Sequence, residues 1–201
     1  MISAFLHGII LSFGLILPLG VQNVFVFNQG ARQRSYIKAL PVVLTAAVCD
    51  TLLVVAAVAG VSLIVLTFAW LQTALYGVGF IFLIYMGWVI WTSKPSKLAS
   101  QPINDSRKQI LFAVSVSLMN PHAILDTLGI IGTNSLAYVG GDKWAFTLSV
   151  ILVSWLWFFG LAYAGRLVGK RDTTGIFIAK INKVSACMIW GVAIYMGLHV
   201  F

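Results

Sequence analysis

With 60% hydrophobic and 9% charged side chains, this 201-residue chain cannot build a water-exposed surface, for which a soluble domain uses about a quarter charged residues. Its apolar runs exceed the roughly 18 residues that cross a bilayer, so it reads as an integral membrane protein surrounded by lipid. The net charge of +8 is scattered over short loops and forms no dense patch, which argues against a nucleic-acid partner.

The runs are continuous and do not alternate, which favours helices over a barrel. Six spans are expected, at about 2–28, 39–66, 68–92, 110–138, 144–167 and 181–201. The first has no Lys or Arg ahead of it and no small-residue cleavage site behind it, so it is expected to be retained rather than removed as a signal peptide. It is interrupted by "LPLGVQN", residues 17–23. Pro18 removes a backbone donor, Gly20 permits shapes closed to other residues, and Gln22 and Asn23 add amides beside the break. A simple kink is the plainer reading of that motif. The second span carries Asp50, and a tight turn near 62–73 leads into the third. A polar linker at 93–109, with Pro95, Pro102, Asn104 and Asp105, precedes the fourth span. That span holds a second interruption, "SLMNPHAILD" at 117–126.

Basic residues set the expected topology. All but one of the 13 Lys and Arg fall between spans one and two, three and four, or five and six, leaving Lys143 alone on the other side. The positive-inside rule makes those loops cytoplasmic and both termini external. Trp70, Trp88, Trp91 and Trp144 lie near span ends, as interfacial aromatic anchors do. The linker divides one transmembrane domain, 1–201, into repeat 1 at about 1–92 and repeat 2 at about 110–201. With three spans each, the halves enter from opposite faces. The expected fold is therefore an all-α membrane protein of two inverted three-helix repeats, with spans one and four broken.

The two breaks meet at matching depth. Gly20 lies 12 residues from Arg32, and Pro121 lies 12 from Gln109; at about 1.5 Å per residue each is roughly 18 Å into a core about 30 Å thick. Asn120-Pro121 is a helix-start signal, because Asn can cap free N–H groups and Pro suits the first helical position. A helix beginning there would aim its positive end at the bundle centre, where a substrate carboxylate can bind. Asp105, Asp142 and Asp172 belong to loops, whereas Asp50 and Asp126 fall inside spans. A charged Asp at the bilayer centre costs about 2.5–3.5 kcal/mol, so such residues normally face a cavity. Structural hydrogen bonding is the plainer alternative for both. Every Lys and Arg falls near a span end or in a loop, so carboxylates at that depth call for a visiting cation or a proton. Asn23 and Asp126 each lie five residues after a break proline and are candidates for repeat-related positions. His122 is a candidate proton relay, set against the commoner satisfied neutral imidazole. His7 and His199 support no claim.

No cofactor is expected, and no metal. Two carboxylates with few soft ligands would hold a divalent ion poorly. Cys49 and Cys187 form no CxxC and differ in expected depth by more than a disulfide spans, so they read as small buried hydrophobes.

Three motifs together resemble the lysine/arginine exporter (LysE-type) family along the whole chain. They are "PLGVQNVFVFNQGARQ" at 18–33, "CDTLLV" at 49–54 and "NPHAILDT" at 120–127. The Pro-Leu-Gly of the first break differs from the Pro-Gly-Pro expected of homoserine/threonine exporters, which favours the basic amino acid branch. The resemblance implies secondary active export of L-arginine and/or L-lysine across a bacterial inner membrane, driven by a proton gradient or the membrane potential. It implies too that Asp50 and Asp126 match the family's important intramembrane acids. The site is thus expected to comprise Asp50, Asp126, Asn23, Gln22, Asn120 and Pro121. Alternatives are export of a neutral amino acid or a cation, and more remotely a membrane redox protein. A homodimer is expected because six helices enclose little cavity.

Overall fold

The computed structural model describes residues 1–18, 20–33, 35–93, 106–118, 120–172 and 174–198, and over these the chain is helical, with no strand. The basic linker residues Lys94 and Lys97, with Pro95, Pro102, Asn104 and Asp105, lie outside the described residues, as do Arg34, His199 and the side chains of Pro121 and His122.

The first expected span is two helices, α1 (Ile2–Ile16) and α2 (Val21–Arg32), bent by 80°. A 3₁₀ turn (Tyr36–Ala39) leads into α3 (Leu40–Ala56), a kinked stretch (Ala57–Val61) in which Gly60 takes φ 107°, and α4 (Ser62–Thr67). The chain turns at Phe68, within the expected stretch, into α5 (Ala69–Thr92). The fourth span is α6 (Ser106–Leu118), α7 (Pro121–Asp126), a π segment (Thr127–Gly132) and α8 (Thr133–Ser135). Its two parts are bent by 57°. Last come α9 (Gly140–Arg171) and α10 (Ile176–Gly197). Among the described residues four helical stretches are long and apolar enough to cross a membrane, and the two bent pairs bring the count to six if each is one span.

The last two helices start earlier than their apolar runs. α9 begins at Gly140 and reaches Arg171, and α10 begins at Ile176 instead of 181. Helical hydrogen bonding continues past the hydrophobic stretch because Lys170, Arg171 and Lys180 can hold their charges away from it on long stems. A local cap fixes the start of α10. Asp172 Oδ2 accepts from the Ile178 N–H at 2.8 Å, and Gly175 takes a left-handed turn (φ 72°). That backbone hydrogen bond holds the Asp172 carboxyl below its usual range.

α9 is the spine: α1 and α2 both lie along it, and α3 packs against it and α6, while α5 pairs with α10. The approach of α2 to α9 is backbone on backbone. A Cβ added to Gly30 would sit 2.0 Å from the Ala162 carbonyl oxygen, and one on Gly165 would sit 2.2 Å from that of Phe27. Small residues permit this closeness where no hydrophobic drive between helices exists. The side chains that fill the seam, Val26, Val42, Val43, Ala46 and Phe158, are buried, whereas Trp70, Ile81 and Trp88 of α5 face outward. The basic end of the bundle is clamped by Tyr36, whose hydroxyl donates to the Phe159 carbonyl at 3.0 Å. At the opposite end the Met1 amine pairs with Asp142, and His7 hydrogen-bonds to Tyr138 at 2.8 Å.

Candidate functional site: a polar cavity between two broken helices

α1 stops at Ile16 because Pro18 cannot donate into its last turn. The freed carbonyls are then met by a side chain. Asn23 Nδ2 donates to the Ile16 oxygen at 2.8 Å and the Pro18 oxygen at 3.0 Å, while Trp157 Nε1 of α9 donates to Asn23 Oδ1 at 3.2 Å. One amide thus ties the end of α1, the start of α2 and the spine together. Gly20 differs from expectation: with φ −68° and ψ 173° it is extended backbone that any residue adopts. A Cβ there would meet nothing within 4 Å. Its contribution is open space rather than an unusual shape.

At the second break Asn120 is extended (φ −89°, ψ 95°) and Pro121 takes the first position of α7, as the sequence anticipates. The expected cap does not form. Asn120 makes no side-chain capping bond, and its Oδ1 is buried without a partner among the described residues. The first bond of the turn runs from the Ile124 N–H to the Asn120 backbone oxygen at 3.1 Å, so the backbone enters the helix without help from the Asn120 side chain.

Asp50 on α3 and Asp126 at the end of α7 line one cavity together with Pro18, Gly20, Gln22, Asn23 and Asn120. Its empty volume, counting the open solvent at its mouth, is about 1020 Å³. The rest of the wall is mostly apolar, including Ile16, Leu83, Phe158 and Ile189. The fourth span is bent by 57° at its break, and both aspartates line the same cavity.

Sequence reasoning missed Ser154, whose hydroxyl on α9 donates to Asp50 Oδ2. Next to it Trp155 Nε1 donates to Thr51 Oγ1 at 3.0 Å, so consecutive residues of α9 hold consecutive residues of α3. Nothing local marks Ser154 among the other hydroxyls of its helix. Only the need of a buried carboxylate for a donor could have prompted a search. Gln22 Nε2 and Asn120 Oδ1, a donor and an acceptor on the cavity-lining residues, have no protein partner among the described residues. A buried polar group left unmet costs about 1–3 kcal/mol, which a ligand carrying an acceptor and a donor would relieve. Among the described residues no three His, Cys, Asp or Glu gather into a metal site, and both cysteines are free thiols, Cys49 buried and Cys187 exposed.

A family model described as "LysE type translocator" matches residues 13–199. A putative amino-acid transporter YisU of Bacillus subtilis is 52% identical over 200 residues, covering 99% of this chain and 91% of its own. The arginine exporter protein ArgO of Shigella flexneri is 33% identical over 203 residues, covering 98% and 94%. ArgO of Pectobacterium carotovorum is 32% identical over 204 residues, covering 99% and 98%. No solved structure matches the chain.

Proposed function

The chain belongs to the LysE type translocator family, and from that premise we propose that it exports L-arginine and/or L-lysine by alternating access about the central cavity. It is an amino acid exporter and not an enzyme. The observation that carries the substrate reading is the meeting of Asp50 and Asp126, one from each half of the chain, in a single cavity whose lining, among the described residues, includes no Lys or Arg. A basic amino acid has two cationic groups for those carboxylates. Its own carboxylate can accept from Gln22 Nε2, and its α-ammonium can donate to Asn120 Oδ1. Relatives named as arginine exporters favour the same class.

Export of a cation works against an inside-negative potential by about 2.3 kcal/mol per 100 mV, so the reading includes exchange for inbound protons. Asp50, with Ser154 as its fixed donor, would hold either a proton or the substrate cation, and His122 is the candidate relay. The basic end faces the cytoplasm in this reading, and both termini are external. The inverted repeat has support in the helix pairing. Exchanging spans one to three with four to six turns the α1–α9 contact into the α6–α3 contact and leaves α5 on α10, and all three contacts occur. Association as a homodimer belongs to the same reading.

Counterflow in proteoliposomes loaded with radiolabelled arginine or lysine tests it. Native protein should exchange both, and Asp50→Asn and Asp126→Asn should each lose most of the exchange. A folded native protein that exchanges only neutral amino acids would replace the substrate assignment.

A further inference from the structure

A second cavity, with an empty volume of about 660 Å³, opens beside the first. The two share Val21 at the start of α2, and the second follows that helix to Arg32, roughly 16 Å along by helical rise. Its wall is largely apolar, with Val24, Phe25, Met86 and Phe112, into which Asn28, Gln29, Arg32 and Ser93 bring polarity. Arg32 is exposed at the helix end and, among the described residues, is the one Lys or Arg lining either cavity. Among the described residues the central cavity has carboxylates and no Lys or Arg, and this one has a cation and no carboxylate.

A chain of amides fixes the second polar group. Asn28 Nδ2 donates to Asn182 Oδ1 at 2.9 Å, Asn182 Nδ2 donates to Ser93 Oγ at 2.9 Å, and Ser93 donates to the Ile90 carbonyl at 2.7 Å. Every donor in the chain is directed the same way, so the orientation of the Asn28 amide is set from the far end. Asn28 Oδ1 is left as a buried acceptor with no partner among the described residues. Asn28 and Arg32 are four residues apart on one helix and therefore adjacent on one face. A guanidinium beside an amide acceptor matches the two charged groups common to every α-amino acid, with the carboxylate on the guanidinium and the ammonium on the acceptor.

We infer that this second cavity is an entry-side subsite for the α-amino-carboxylate head of an amino acid, with Arg32 binding the carboxylate and Asn28 Oδ1 accepting from the ammonium. The subsite reads only the head. Discrimination among side chains is left to Asp50 and Asp126 in the central cavity, reached past Val21. The inference rests on the export reading, because the basic end must be the face at which substrate arrives.

The test uses inside-out membrane vesicles containing the full chain, in which that face is outermost. Uptake of radiolabelled arginine is measured, together with its inhibition by the amine left when arginine loses its carboxylate. Arg32→Gln should raise KM for arginine about tenfold, the size of one charge-assisted hydrogen bond, with a smaller change in maximal rate. Inhibition by the decarboxylated amine should stay within about twofold, because it never used Arg32 for a carboxylate. Arg32→Lys should recover part of the loss. Equal weakening of both compounds would make Arg32 a structural residue and overturn the subsite, as would an unchanged KM. If native protein takes up a different amino acid, the basic-substrate reading falls and the same comparison is made with that amino acid and its amine. No amino acid uptake by folded native protein overturns both.

Discussion

The two breaks have similar sequence, a proline with an asparagine close by, and are closed in opposite ways. At the first, Asn23 gives its amide to two freed carbonyls and takes a hydrogen bond from Trp157, so all its polar atoms are engaged within the protein. At the second, the Asn120 amide leaves its oxygen without a partner among the described residues, and the residue lines the cavity. One amide is spent within the protein, and the other keeps an acceptor that no described residue meets. Lining a cavity is therefore a weak guide to binding it. What separates the two is whether the side chain's hydrogen-bonding capacity is already committed.

The largest expected effects fall on the carboxylates that lie between the breaks. Asp50→Asn and Asp126→Asn should each lower the rate of arginine counterflow by at least about a hundredfold, since breaking a charge pair between substrate and a buried carboxylate costs about 3 kcal/mol or more. Ser154→Ala should cost less and act through Asp50, shifting the pH profile of exchange, because removing the hydroxyl takes away the donor that favours the charged carboxylate. An unshifted profile would detach Ser154 from the site.

Asn23→Ala and Asn120→Ala test the contrast itself. Asn23→Ala removes three hydrogen bonds, and at roughly 0.6 kcal/mol each in a membrane bundle the loss of stability should be about 2 kcal/mol. It should be visible as a lower Tm of the detergent-purified protein without substrate. Asn120→Ala should leave that Tm unchanged or raised, because a buried acceptor with no protein partner is deleted, and should weaken substrate affinity about tenfold. If both variants lost stability equally, the distinction between a built break and a waiting one would collapse.

Much of this was legible in the sequence because its signals are strong and local. Long apolar runs, proline interruptions and aspartates inside spans located the helices, the breaks and the lining residues Asp50, Asp126, Gln22, Asn23 and Asn120. What was not legible depends on partners distant in the chain. Ser154 and Trp157 meet Asp50 and Asn23 across more than a hundred residues, and no spacing rule connects them. The cap assigned to Asn120 failed because residue type shows only that a side chain can cap, while the direction its amide takes is set by the packing around it. The early start of α10 turned on Asp172 and Gly175, a turn that hydropathy does not register.

The smallest expected effect concerns Gly20, and it bears on what the first break requires. Were the break dependent on a conformation only glycine adopts, Gly20→Ala would cost about 1 kcal/mol or more. The observed φ of −68° is open to alanine, and a Cβ would enter space with no atom within 4 Å. Stability should therefore change by less than about 0.5 kcal/mol, or rise slightly through the stiffer unfolded chain. The methyl group would instead occupy part of the cavity that Gly20 lines. If arginine is exported as proposed, Gly20→Ala should then raise its KM modestly while leaving Tm where it was. A fall in Tm comparable to that of Asn23→Ala would show that the break is held by its glycine as well as by its asparagine.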